Sequence, residues 1–140
     1  MEYNSHEHAI HNEKVCNELL KNIEFGDWVI TTAFYSSLHY LRHAIFPLKF
    51  TSTKLSATIK VETFNRYCLI EGYEGKKHSV FKKLVETQCP TNISVAYHRL
   101  LDASYTARYN NYKFSENISK QATDRLILIK EYTKKKKQTK

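Results

Sequence analysis

Glycine occurs only three times and proline twice in 140 residues. An all-β domain needs many more turn residues, so this scarcity excludes strand-and-turn architectures and favours long helices joined by few loops. Cysteine is equally sparse. Cys16, Cys68 and Cys89 are odd in number, lie far apart and form no C-x-x-C pair. A disulfide framework and a zinc module are therefore not expected, and a reducing cytoplasm suits such a chain. The start, Met1 to His8, lacks a basic segment leading into an apolar run, so no signal peptide is expected. The most apolar stretch, Trp28 to Phe46, contains His39, Arg42 and His43. A membrane span rarely tolerates such residues, so this stretch reads as a buried bundle helix, with no membrane contact expected. No repeat of solenoid length is visible.

Hydrophobic residues make up 41% of the chain, enough for one core in a single domain. Aromatics are plentiful, with 10 tyrosines against one tryptophan. The net charge of +8 is uneven, because residues 130–140 hold six lysines and one glutamate. The remainder carries only +3, so the folded body is mildly basic. A helical body over 1–133 followed by a flexible, lysine-rich tail over 134–140 is the domain division that this composition suggests. The tail lysines are solvated in the simplest reading and attract a polyanion in the functional one.

Apolar periodicity predicts an all-α fold, an antiparallel up-and-down bundle of four to five helices over 5–25, 28–46, 79–88, 92–110 and 115–133. Ser5 is the expected cap of the first helix, Gly26 its left-handed stop and Asp27 the cap of the second. The second helix carries a broad stripe, Ile30, Phe34, Leu38, Leu41 and Ile45, that marks the most buried helix of a bundle. Pro47 ends it. Residues 48–76 are ambiguous. Thr51-Ser52-Thr53 reads as loop, 61–69 as a short helix, and Thr58 to Val61 alternates like a strand. Gly72 and Gly75 bracket a turn. Thr91 or Asn92 caps the fourth helix and Ser115 the fifth. Trp28, Phe34, Leu38, Leu41, Leu84, Tyr97, Leu101 and Leu126 are expected in the core.

Chemistry-bearing residues are few. His6, His8 and His11 cluster near the start, but only His8 and His11 have helical ligand spacing and no carboxylate-plus-His signature accompanies them. No metal site and no cofactor are expected. His39 and Arg42 share a helix face, where an imidazole can move a proton while a guanidinium holds a phosphate. Against that stands a satisfied core histidine beside a solvated arginine. Lys76-Lys77-His78 follows Gly75 at a helix start and can hold an anion, although it matches no P-loop. Arg108 lies among Tyr105, Tyr109 and Tyr112, a combination that binds RNA by charge and stacking or that packs a helix edge. The ligand-binding candidates are thus Lys77, His78, Arg108, Tyr109 and Arg42. A catalytic alternative uses His39, His78 and Arg108.

The run Asp27-Trp28-Val29-Ile30-Thr31-Thr32-Ala33-Phe34-Tyr35-Ser36-Ser37-Leu38-His39 resembles the D-W-x-x-T-x-x-F-Y-x-x-L-H helix of small bacterial HEPN-like proteins. Ala9-Ile10-His11-Asn12, Lys77-His78-Ser79 and Tyr97 to Ser104 with Ala107-Arg108-Tyr109 are similar to further segments of the same group. The resemblance covers about 6–129. It implies a HEPN-like bundle in a prokaryotic antiviral-defence or toxin–antitoxin setting, binding RNA, a nucleotide or a protein partner. It also implies a homodimer or larger complex. Nuclease members carry an arginine and a histidine with four to six residues between them. None of Arg42, Arg66, Arg99, Arg108 and Arg125 is followed by a histidine at that spacing. The resemblance therefore implies a non-catalytic binding module, with a ribonuclease using a divergent His/Arg site as the alternative.

Overall fold

The structure, a computed structural model, describes residues 4–73, 75–110 and 113–139. Tyr112, Lys140 and the side chain of Ile23 lie outside them. The described chain is mostly helical with one small sheet. Helix α1 covers Ser5–Leu19 and a 3-10 turn Ile23–Phe25. Helix α2 follows at Gly26–Ile45. Strands β1, Leu48–Ser52, and β2, Ala57–Val61, form an antiparallel hairpin with Leu48 opposite Val61. Then come α3 (Phe64–Glu71), α4 (Lys77–Gln88), α5 (Thr91–Tyr109) and α6 (Glu116–Thr139). None of the helices, over the described residues, is long and apolar enough to cross a membrane.

The stripe on α2 organises the packing. Ile30, Phe34, Leu38, Leu41 and Ile45 are all buried, and α2 contacts α1, α5 and α6. Helix α1 runs antiparallel to α2. Ser36 Oγ donates to Ala9 O at 2.7 Å and Cys16 Sγ to Val29 O at 3.5 Å, so positions pair in opposite order. Tyr40 donates to Glu13 at 2.6 Å, and Lys130 of α6 reaches the other oxygen of Glu13 at 2.9 Å. Helix α6 runs with α2, since Ser119 lies beside Gly26 while Lys137 Nζ donates to Phe46 O at 3.2 Å.

Several local expectations need correction. Asn4, not Ser5, caps α1, accepting from Glu7 N at 3.1 Å. Helix α1 ends at Leu19, where Asn22 caps the 3-10 turn through Glu24 N at 2.9 Å. Gly26 is no left-handed stop, because its φ is −55° and it opens α2. Glycine is needed there for space. A Cβ would lie 3.0 Å from Ser119 Oγ and 3.1 Å from Phe114 Cβ, so the start of α6 could not approach. Asp27 sits inside the first turn, where its charge suits the helix dipole, and α2 has no side-chain cap. Pro90 takes the N-cap position of α5 in place of Thr91 or Asn92. Ser115 does cap α6, accepting from Ile118 N at 3.2 Å.

Thr51 and Ser52 belong to β1 rather than to a loop. Ser52 is buried because its hydroxyl donates to Glu71, and Thr53 Oγ1 donates to the same carboxylate at 3.0 Å. Glu71, only 5% exposed, thereby ties the hairpin to the end of α3. Trp28 is 56% exposed and Leu101 only half-buried. Each lies off its stripe: Trp28 is two residues from Ile30, about 200° round the helix, and Leu101 is next to the buried Leu100. The last helix runs on to Thr139, past the expected end at 133. Lys134 to Lys137 therefore continue α6 instead of forming a tail. Lys137 supplies the donor for the C-terminal carbonyl end of α2, and Lys136 Nζ donates to Gln88 O at the end of α4 at 3.4 Å.

Candidate functional site

Helical spacing brings polar side chains from three elements together. Tyr35 and Arg42 are seven residues apart on α2, two turns along one face. Tyr97 and Arg108 are eleven apart on α5, three turns along one face. Lys77 and His78 begin α4. Arg108 is fixed at two points, by Nε donating to Ser104 O at 3.2 Å and Nη1 donating to Tyr35 Oη at 2.7 Å. Its guanidinium lies 5.6 Å from the centre of the Tyr35 ring and 5.3 Å from that of Tyr109. Two hydrogen bonds and two rings hold the charge in place, so little rotamer freedom remains to be lost on binding.

His78 is exposed at its edge, while its ring lies 6.0 Å from that of Phe34. Partial burial lowers its pKa below the ordinary value, and the charges of Arg108 and Arg42 lower it further. The imidazole is thus neutral near pH 7 and close to two fixed cations. Tyr97 is fully buried, and its hydroxyl has no hydrogen-bond partner among the described residues. Burial pushes that phenol far above its usual range, although the charge of Arg42 pulls the other way.

Helix α4 starts without a side-chain cap at Lys76. The N–H groups of Lys77, His78 and Ser79 therefore have no acceptor within the helix and favour an anion. An open cavity of about 490 Å³ lies over this start, lined by Gly75 to Ser79. A second, of about 690 Å³, shares Lys76 and Ser79 with it and adds Lys54, Lys83, Tyr67 and Tyr73. Tyr109 is 66% exposed, with its ring 4.9 Å from that of Tyr105. Arg108 links the two groups, 5.3 Å from the Tyr109 ring and within electrostatic reach of His78 at the start of α4, and cations, stacking rings and helix-start N–H groups are a combination that can hold phosphates and the planar groups attached to them.

Of the residues singled out from sequence, Arg108 and Arg42 both fall within electrostatic reach of His78. Lys77 is exposed beside them, its Nζ donating to Asn65 Oδ1 at 3.3 Å. His39 faces α1 instead. Its ring stacks 5.1 Å from His8, and burial, with the charges of Arg42 and His8, lowers its pKa to about 4. His6 packs on His43 at 4.7 Å and His11 is exposed. Among the described residues, no three His, Cys, Asp or Glu side chains are grouped to hold a metal ion. Tyr35 and Tyr97 were not among the residues expected at a site. Their spacings of seven and eleven to Arg42 and Arg108 were the available signal. Comparison with known proteins yields no matching family model, no matching curated protein and no matching solved structure.

Proposed function

We propose that this chain is a non-catalytic HEPN-like module of a prokaryotic defence or toxin–antitoxin system, and that it binds RNA or a nucleotide through its phosphates. The surface is built by Lys77, His78, Arg108 and Tyr109, with Arg42 behind it. One observation carries the reading. Arg108, doubly anchored by Ser104 and Tyr35, stands beside the uncapped start of α4 and an exposed pair of tyrosine rings. Guanidinium and free N–H groups are the donors that phosphate oxygens take, and tyrosine faces accept bases without regard to sequence. The HEPN-like assignment rests on the Asp27 to His39 run and on the mostly helical fold, as do self-association and a protein partner. Exposed Trp28 and Tyr105 offer such partners apolar surface.

A ribonuclease is the second reading, favoured by one observation: His78 is neutral near pH 7 beside two guanidinium charges. It would take the proton of a 2′-hydroxyl while Arg108 holds the phosphate. His39, the other imidazole of that scheme, is stacked on His8 and unsuited to supply the acid. Incubating the protein with an end-labelled single-stranded RNA separates the readings. Binding seen by anisotropy with the RNA intact on a gel is the expected result. Cleavage that disappears in His78→Ala would establish the second reading, and no binding up to high micromolar protein would sink both.

A further inference from the structure

Helices α1 and α6 both pack on α2 and leave between them an open groove of about 670 Å³. At 1.5 Å per residue, its α6 wall from Lys130 to Gln138 is about 12 Å long. That volume and length suit a small organic molecule with a chain-like body. The lining changes character along the groove. At one end Glu13 accepts from Tyr40 Oη at 2.6 Å and from Lys130 Nζ at 2.9 Å. Glu13 is the one acid on these walls among the described residues, and Lys130 neutralises it. The polar atoms at this end are therefore spent on one another.

Ile10 and Thr133 line the middle. The Thr133 hydroxyl donates to Lys130 O of its own helix at 2.8 Å, so it makes no demand on a ligand. The aliphatic stem of Lys134 adds apolar surface beside them. At the other end stand Lys137 and the rings of His6 and His43, 4.7 Å apart. Lys137 Nζ gives one hydrogen to Phe46 O at 3.2 Å and keeps two to donate. That bond also covers the carbonyl end of α2, which would otherwise repel an anion. His6 lies in the first turn of α1, whose dipole brings its positive end here. Among the described residues Lys134 and Lys137 pair with no carboxylate. With Glu13 and Lys130 cancelling, the groove keeps two uncompensated cations. Partial burial lowers the pKa of Lys137 and the charge of Lys136 lowers it further, as expected of an ammonium short of a counter-charge.

We propose that this groove binds a medium-chain fatty carboxylate, with its chain along Ile10 and Thr133 and its carboxylate on Lys134 and Lys137. The order of the lining sets the direction, apolar surface first and paired donors last. A neutral chain would leave the two ammonium groups without an acceptor, and a cationic one would be repelled by them. Lys77, His78, Arg108, Tyr109 and Arg42 do not line the groove, so the site is separate from the proposed RNA surface.

The test is NMR of the full chain titrated with sodium decanoate below its micelle-forming concentration. Saturable shifts at the backbone amides of Ile10, Thr133 and Lys137 are expected. Butyrate, which keeps the carboxylate and loses most of the chain, should bind at least about tenfold more weakly. Decyltrimethylammonium, which keeps the chain and reverses the charge, should cause no saturable shift there. Lys137→Gln should weaken decanoate binding about tenfold, the usual loss of a charged hydrogen bond. Lys134→Gln, at an exposed position that leaves the core alone, should weaken it about two- to threefold. Lys135→Gln, exposed on α6 but away from the groove, and Arg108→Gln, at the RNA surface, should leave it unchanged. The absence of saturable shifts with decanoate would overturn the proposal. So would equal affinity for butyrate or for decyltrimethylammonium. Unchanged affinity in Lys137→Gln at an unchanged melting temperature or, should that variant not fold, in Lys134→Gln would overturn it as well.

Discussion

Phe34→Ala is expected to destabilise the domain by about 3–5 kcal/mol, the range for truncating a buried aromatic. Phe34 is fully buried in the middle of the α2 stripe. Its ring meets three others, Tyr35 at 5.0 Å, Tyr97 at 5.8 Å and His78 at 6.0 Å. Truncation removes apolar area and leaves a cavity between three helices that cannot collapse together, because α2 also packs on α1 and α6. A domain of this size has only about 5–15 kcal/mol of net stability, so the loss takes a large share of it. The same ring supports His78 from below and flanks Tyr35, the anchor of Arg108. The folded fraction should therefore also lose affinity for its ligand. Urea unfolding of the variant and the parent measures the effect. A loss of under about 1 kcal/mol would mean that α2 is not the centre of the core.

The domain should also lose stability in mild acid, and His39 is the reason. Its pKa in the folded chain is about 4, whereas an exposed imidazole titrates near 6.5. Burial is the main cause, and the charges of Arg42 and His8 add to it. The sign follows from proton counting. Below pH 6.5 the unfolded chain takes up a proton that the folded chain refuses. Stability therefore falls as the pH drops from about 6.5 to about 4, and this contribution levels off below that. The steepest slope is about 1.4 kcal/mol per pH unit, and the whole span amounts to about 3 kcal/mol. The seam between α1 and α2 should open first, since His8 and His39, and His6 and His43, face each other across it. Urea midpoints at pH 7.0, 5.5 and 4.5 give the curve, with His39→Asn as the control that reduces it to the smaller share of His78, whose pKa burial also lowers. Equal stability at pH 7.0 and 5.5 in the parent would contradict this assignment.

Helix α2 was readable because its apolar residues repeat at the helical period and nothing competes with them. What was misread shares a physical cause: one residue type serves two structural purposes. Gly26 can stop a helix in the left-handed region or admit a close neighbour, and only the position of Ser119 and Phe114 decides between them. Thr51 and Ser52 look like loop because both are polar. Ser52 is buried only because Glu71, nineteen residues on, accepts its hydroxyl. The lysines after Thr133 look like a tail by composition, yet two of them find carbonyls at the ends of α2 and α4. The site was legible in parts. Basic residues near Gly75 and around Arg108 are visible in the chain, but their meeting depends on how α4 packs on α5. Tyr35 and Tyr97 were hidden because tyrosines at helical spacing read first as core.

The central claim is that Arg108 presents a fixed cation to a phosphate-bearing ligand beside His78 and the start of α4. Its most direct test is the affinity of a labelled single-stranded RNA for the parent and for Arg108→Gln, measured by anisotropy at two salt concentrations, with both proteins checked for equal melting temperature. Saturable binding by the parent is expected, about tenfold or more weaker in the variant. The log–log salt slope should be shallower by about 0.7, because the variant leaves one phosphate without its cation. Equal affinity and an unchanged slope in a folded Arg108→Gln protein would contradict the claim.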